Sequence, residues 1–236
     1  MSEIVVVTGG AGALGAAVAK KLSARGDAVA IFDTPRGEAR AREIAAALGP
    51  RVHVEVGDFA TREAWQAALP RVAAALGGAP TMAALVAGGW AGGKPLHEAE
   101  DDVWDRMSVQ NVDTARRALA ALLPPMVAAG HGAIAVVGSR AVERPWTSAG
   151  AAAYAASKAA VVAMVQVAAQ ENVARGVRLN AILPSTMDTP ANRAAMPDVD
   201  PATWVTTESA ASVIAWLLSP DARDVSGAAI PVYGRA

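Results

Sequence analysis

The chain has 236 residues, enough for one large core or at most two small domains, with 18% charged residues and a formal net charge of −1. Hydrophobic residues make up 53% of it, and 59 residues, a quarter of the chain, are Ala. This composition excludes a disordered chain, and a pI near 6.3 leaves no basic surface for nucleic acid or an anionic membrane.

Strand patterns fall at 4–7, 28–32, 52–56, 82–87, 133–137, 178–183 and 229–232. They are rich in Val and Ile and show little polar alternation, which suits strands buried on both faces. Helical patterns lie between them at 13–23, 37–48, 62–75, 102–128, 151–174 and 209–218. Pro and Gly punctuate the joints at Gly49-Pro50, Pro124-Pro125, Gly176, Pro184 and Pro220. Short connections between alternating strands and helices predict right-handed βαβ units. The expected fold is a single doubly wound α/β domain of Rossmann type over 1–236, with about seven parallel strands and helices on both faces. A Pro-rich irregular stretch, with Pro184, Pro190, Pro197 and Pro201, predicts a substrate lid near 184–207.

Several site types are not expected. There is no Cys, and His53, His97 and His131 show no ligand spacing, so neither thiolate chemistry nor a metal site is predicted. Arg, Asp, Gly or Pro interrupts every long apolar run, so no membrane span is expected. Glu3 leads straight into a strand pattern with no signal-peptide character, which predicts a cytoplasmic protein.

The first strand runs into Thr8-Gly9-Gly10-Ala11-Gly12-Ala13-Leu14-Gly15 and then a helix. Small residues let the backbone approach a pyrophosphate, and the helix start supplies free N–H groups and a positive dipole end. Asp33 ends the second strand, where a carboxylate accepts both hydroxyls of an adenosine ribose and repels a 2′-phosphate. This favours NAD(H), and NADP(H) stays open because Arg36 stands three residues on. Tyr154 and Lys158 share one helix face at i, i+4. A nearby ammonium lowers a phenol's pKa from about 10 toward working pH and suits it to proton transfer at a carbonyl or alcohol oxygen. With two Tyr and four Lys in the chain, this spacing is expected by chance only about 0.03 times, so a solvated surface pair is the weaker reading.

These motifs resemble the short-chain dehydrogenase/reductase family over essentially the whole length. The family's Thr-Gly-x-x-x-Gly-x-Gly stands as Thr8-Gly9-x-x-x-Ala13-x-Gly15, with Ala for the middle glycine. The resemblance implies an adenine contact at Asp58 with Phe59, and a catalytic tetrad of Asn111, Ser139, Tyr154 and Lys158. Ser148 lies in a loop, whereas Ser139 ends a strand and is preferred. Ser139 and Tyr154 are 15 apart, about two more than usual in the family, so a reshaped loop is expected at 143–149. The family's Asn-Asn-Ala-Gly appears as Ala87-Gly88-Gly89-Trp90 without the asparagines. Pro184-Ser185-Thr186-Met187-Asp188-Thr189 matches its Pro-Gly-x-x-x-Thr, implying Thr189 at the nicotinamide carboxamide and Met187 by the ring.

The implied activity is NAD(H)-dependent interconversion of a carbonyl and an alcohol on a small molecule. In that scheme Ser139 holds the substrate oxygen, Tyr154 is the acid/base, Lys158 tunes it and holds the ribose, and Asn111 anchors a water. Trp90, Arg140, Arg144, Trp146, Asn192, Arg193, Met196 and Trp204, with Met187, are expected to line the substrate pocket. Two strings, around Gly88-Gly89-Trp90 and Asp188–Pro197, resemble the quinonoid dihydropteridine reductase branch, which makes a pteridine or quinone reductase the alternative. A non-catalytic NAD(H) sensor is the reading from another class. The resemblance also implies a homodimer or homotetramer through the helices at 102–128 and 151–174. The remaining aromatic expectation is that Trp65, Trp104 and Trp216 pack helices.

Overall fold

The computed structural model describes residues 3–235. The first half runs β1 (Ile4–Thr8), α1 (Ala13–Arg25), β2 (Ala28–Asp33), α2 (Glu38–Leu48), β3 (Val52–Val56), α3 (Arg62–Leu76) and β4 (Met82–Leu85). Next come α4 (Asp101–Met107), a π-helical turn at Ser108–Asp113, α5 (Thr114–Ala129), β5 (Gly132–Val137) and α6 (Ala152–Asn172). The chain then forms β6 (Val177–Pro184), β7 (Met187–Asp188), α7 (Pro190–Ala195), β8 (Val205–Thr206), α8 (Thr207–Leu217) and β9 (Ala229–Val232). Seven strands make one parallel sheet in the order β3-β2-β1-β4-β5-β6-β9. This is the expected Rossmann-like architecture.

Alternate strand residues feed two cores. Val6, Ala30 and Phe32 join α3, α5 and α6 on one face, where Phe32 stacks on Trp65 with centroids 4.9 Å apart. Val5, Val7, Val29 and Ile31 join α1 and α8 on the other. Burial on both faces explains why these strands read as unbroken apolar runs. The strand order reverses between β2-β1 and β4-β5, so a crevice opens at the carboxyl ends of β1 and β4, where ligands bind in open α/β sheets.

Several expectations change. The helix expected at 102–128 divides at the π-helical turn around Asn111, and Pro124 and Pro125 lie inside α5 rather than at a joint. The lid segment is not irregular: β7 and β8 pair as a small parallel sheet around α7. One helical run, Ala152–Arg175, is after all long and apolar enough to cross a membrane. Its apolar character has a local reason, since Val161, Val162, Val165 and Ala169 pack against the sheet. Trp65 is fully buried, but Trp104 and Trp216 are exposed, so only the first packs as expected.

Candidate active site

The site grows from the turn after β1. Gly9 has φ +65°, and a Cβ there would meet the Ala87 backbone at 3.0 Å. A Cβ on Gly15 would lie 2.2 Å from the Gly9 carbonyl oxygen, so α1 can start this close only as glycine. Gly12 precedes α1 and no side chain caps the helix, which leaves its first N–H groups for an anion. Ala13 opens α1, while the Leu14 side chain turns into the core and offers a ligand only its backbone. Beside the turn, Asp33 Oδ2 accepts from the Ala11 N–H at 2.8 Å and Oδ1 accepts from the Thr34 N–H at 2.8 Å. The carboxylate is thus fixed at the mouth of the turn, and Arg36 is exposed beyond it.

Asp58 is exposed near this edge, but Phe59 is not available as expected. Its ring is buried 4.6 Å from Phe32 and 5.3 Å from Trp65, measured between centroids. Only the Phe59 backbone can face a ligand, since aromatic packing has claimed the side chain.

The loop after β4 lacks the asparagines of the motif and is held by other groups. Thr8 Oγ1 accepts from the Val86 and Ala87 N–H groups at 3.0 and 3.1 Å. Asn111 Oδ1 accepts from the Gly89 N–H at 2.9 Å, and Asn111 Nδ2 donates to the Gly89 carbonyl at 3.1 Å. Gly88 passes between the site's polar groups: a Cβ on it would lie 2.7 Å from Asn111 Oδ1 and 3.1 Å from Lys158 Nζ.

Tyr154, Ser157 and Lys158 share the first turns of α6, and Ser139 follows the end of β5. Ser139 is buried and its hydroxyl faces the Tyr154 phenol. Lys158 is 6% exposed, and its Nζ donates to the Val137 carbonyl at 2.8 Å. A small, partly open cavity of about 10 Å³, near the size of one water, lies among Thr8, Asn111 and Lys158. The four tetrad positions are therefore assembled around one point at the strand ends.

Their electrostatics differ from the sequence expectation. Burial raises the Tyr154 pKa, and the Ser139 hydroxyl offsets this only in part. Burial also lowers Lys158 to about 8. The Lys158 ammonium donates to the Val137 carbonyl, and burial outweighs any lowering influence on the phenol. Asn111 likewise uses both Nδ2 protons on protein acceptors, Gly89 and Ser157, leaving only an Oδ1 lone pair for a water.

Ser157 is the residue that sequence reasoning missed. It is buried, accepts from Asn111 Nδ2 at 2.9 Å and donates to the Tyr154 carbonyl at 2.8 Å. It ties the π-helical turn to α6. The available signal was a polar residue beside Lys158 on an otherwise Ala-rich face. Ser157→Ala is expected to cost about 1–3 kcal/mol, because a buried Nδ2 proton loses its acceptor. Urea unfolding checks this, and an unchanged midpoint would remove the linkage.

The substrate-side residues divide. Trp90 and Trp146 are 66% and 73% exposed at the site's mouth. Arg140 is half-buried immediately after Ser139, and Arg144 is exposed beside it. Met187 and Met196 bracket α7 and are partly exposed. Three expectations fail on packing grounds. Trp204 is 7% exposed and cannot form an open wall. Arg193 is paired with Asp188 through two bonds of 2.6 and 2.7 Å, so its charge is already matched. Asn192 donates Nδ2 to the Met187 carbonyl at 2.8 Å and so ties α7 to β7. Thr189 caps α7 by accepting from the Asn192 N–H at 3.1 Å, and its hydroxyl proton stays free of that bond. Pro184 ends β6 at the same rim.

Known proteins match this arrangement. Residues 3–200 match the short chain dehydrogenase family. A 2,5-dichloro-2,5-cyclohexadiene-1,4-diol dehydrogenase of Sphingobium indicum is 34% identical over 199 residues, covering 84% of this chain and 78% of that one. A cis-4-hydroxycyclohexanecarboxylate dehydrogenase of Sinomonas cyclohexanicum is 35% identical over 246 residues, covering 98% and 95%. Among solved structures, a 3-oxoacyl-[acyl-carrier protein] reductase with bound NAD from Brucella melitensis superposes with TM-score 0.87 at 25% identity, covering 98% of this chain and 90% of that one. With a Gly-rich turn at a strand-order reversal and a Ser139–Tyr154–Lys158 cluster beside it, the chain belongs to the short-chain dehydrogenase family and is an oxidoreductase.

Proposed function

We propose that this protein interconverts a secondary alcohol and a ketone on a small cyclic substrate, using NAD(H). The observation that carries the reading is the placing of Ser139, Tyr154 and Lys158 on adjoining elements next to the Gly9–Gly15 cradle. The residues fit a dinucleotide: the turn is drawn so tight that a Cβ at Gly9 or Gly15 would clash with the backbone of Ala87 or Gly9, the start of α1 has no side-chain cap, and Asp33 is fixed beside it. When bound, a nicotinamide exchanges a hydride with the substrate carbon.

The chain's own groups do the rest. Ser139 donates a hydrogen bond to the substrate oxygen. Tyr154 gives that oxygen a proton in reduction and takes it in oxidation. Burial leaves the phenol protonated, so reduction finds the acid ready, while oxidation requires a base to relieve it. Lys158, with its pKa near 8, can pass protons near neutral pH through the small cavity it shares with Thr8 and Asn111. The ring-shaped substrate class is supported by two relatives named for ring alcohols. The presence of Ser139 and Asn111 favours carbonyl chemistry over the pteridine or quinone alternative.

The test is NADH consumption with a panel of cyclic ketones, quinones and pterins. Turnover of cyclic ketones is expected, and turnover confined to quinones or pterins would transfer the assignment to the alternative. Cofactor choice has its own test. Asp33→Ser is expected to raise the KM for NAD about ten-fold or more while lowering that for NADP, because two charge-assisted bonds to the ribose are lost. If the ratio of the two KM values does not move, Asp33 does not choose the cofactor.

A further inference from the structure

A second polar cluster lies at the carboxyl ends of β5, β6 and β9, outside the Tyr154–Lys158 machinery. Tyr233, just after β9, donates its hydroxyl to Glu143 Oε2 at 2.6 Å. The Arg144 guanidinium lies over its ring, with Cζ 5.1 Å from the centroid. The Tyr233 carbonyl accepts from Ser185 Oγ at 2.8 Å, which ties the cluster to the loop after β6. Arg140 follows Ser139 in the chain, and its charge acts on the same phenol.

The charge balance of this cluster is uneven. Glu143 is the sole acid between Ser139 and Gly150, and it is engaged by Tyr233. Among the described residues neither Arg140 nor Arg144 forms an ion pair. Burial and the neighbouring carboxylate push Tyr233 up to about 12, so it stays a donor to Glu143 throughout the working range. Two guanidiniums without an ion-pair partner among the described residues thus lie around Tyr233, whose hydroxyl already occupies the one acid. Arginine's planar fork matches a carboxylate in two parallel bonds, and the half-burial of Arg140 strengthens such a pair over a fully solvated one.

We infer that Arg140 and Arg144 form an anion subsite of the substrate pocket that takes a carboxylate carried by the cyclic substrate, and that Tyr233, by holding Glu143, keeps that acid from pairing with them. This rests on the cyclic alcohol and ketone reading above. Tyr233 and Glu143 are positioning residues in it, and the arginines are the binding groups.

The experiment is isothermal titration of the protein with cyclohexanecarboxylate and with neutral cyclohexanecarboxamide, with and without NAD. It reads binding rather than turnover, so it can fail while hydride transfer stands, and the reverse. The carboxylate is expected to bind about ten-fold or more tightly than the amide. That preference should shrink as NaCl is added. Arg140→Gln and Arg144→Gln are expected to abolish most of it, and Tyr233→Phe to weaken carboxylate binding by freeing Glu143 to compete. Equal or undetectable binding of the two probes overturns the subsite. So does a preference that survives both arginine variants. The salt titration uses the unaltered chain, so the result does not depend on any variant folding.

Discussion

Tyr154→Phe is expected to lower kcat by roughly 10²–10⁴-fold, the range that a positioned general acid or base contributes. Phe keeps the ring and its packing on α6 but removes the phenolic proton that meets the Ser139 hydroxyl. NADH affinity should stay close to that of the parent, because the cradle at Gly9–Gly15 and the carboxylate of Asp33 lie on β1, α1 and β2. The fold should survive, since only one hydroxyl-to-hydroxyl contact is lost, worth about 1 kcal/mol. Steady-state kinetics with fluorescence titration of NADH separate the two effects. A variant that keeps turnover within ten-fold of the parent would remove Tyr154 as the acid.

Lys158→Met should act on stability in the opposite direction from activity. Burial holds the folded-state pKa of Lys158 at about 8, against about 10.4 for an unfolded chain. Between these values the unfolded chain carries the proton and the folded protein does not. Stability therefore rises with pH across that window, and the lysine's penalty is fully present below about pH 8. The penalty is on the order of 3 kcal/mol. Its bond to the Val137 carbonyl returns about 1 kcal/mol, so Met should stabilise the protein by about 2 kcal/mol near pH 7. The gain should fade toward pH 10. Both tyrosines are present in parent and variant, so the difference between them isolates the lysine. Urea unfolding at several pH values measures it, and a variant less stable than the parent near neutrality would contradict the burial argument. Turnover should fall sharply in the same variant, which is the usual cost of a buried functional charge.

The parts legible in the chain were those whose physics is local. The central strands were readable because a run buried on both faces is apolar, as in Val5–Val7 and Ala28–Phe32, whereas edge strand β3 was readable from its valines although His53 and Glu55 interrupt it. The cradle was readable because its glycines lie within eight residues of one another, between a strand and a helix. Tyr154 and Lys158 were readable because four residues bring them to one helix face, and because both types are rare here. Asn111 was named, but the π-helical turn that points it at Gly89 was not. Such a turn depends on what packs against it, namely the loop after β4 and Ser157 of α6.

The misjudged residues share one cause. Phe59, Trp204, Asn192 and Arg193 were assigned to ligands from residue type and position. Three have partners in a geometry that no local pattern records, namely Phe32 and Trp65 for Phe59, Asp188 for Arg193 and the Met187 carbonyl for Asn192, and Trp204 is buried. The same holds for the pKa values. A Tyr-x-x-x-Lys spacing suggests an ammonium pulling down a phenol, but burial dominates both groups and raises the one while lowering the other. Periodicity thus determined the architecture, and glycine placement and rare residues singled out the candidate cradle and the candidate reacting pair. Tertiary packing alone decided which polar atoms remain free for a ligand, since that depends on contacts such as Tyr233 with Glu143, 90 residues apart in the chain.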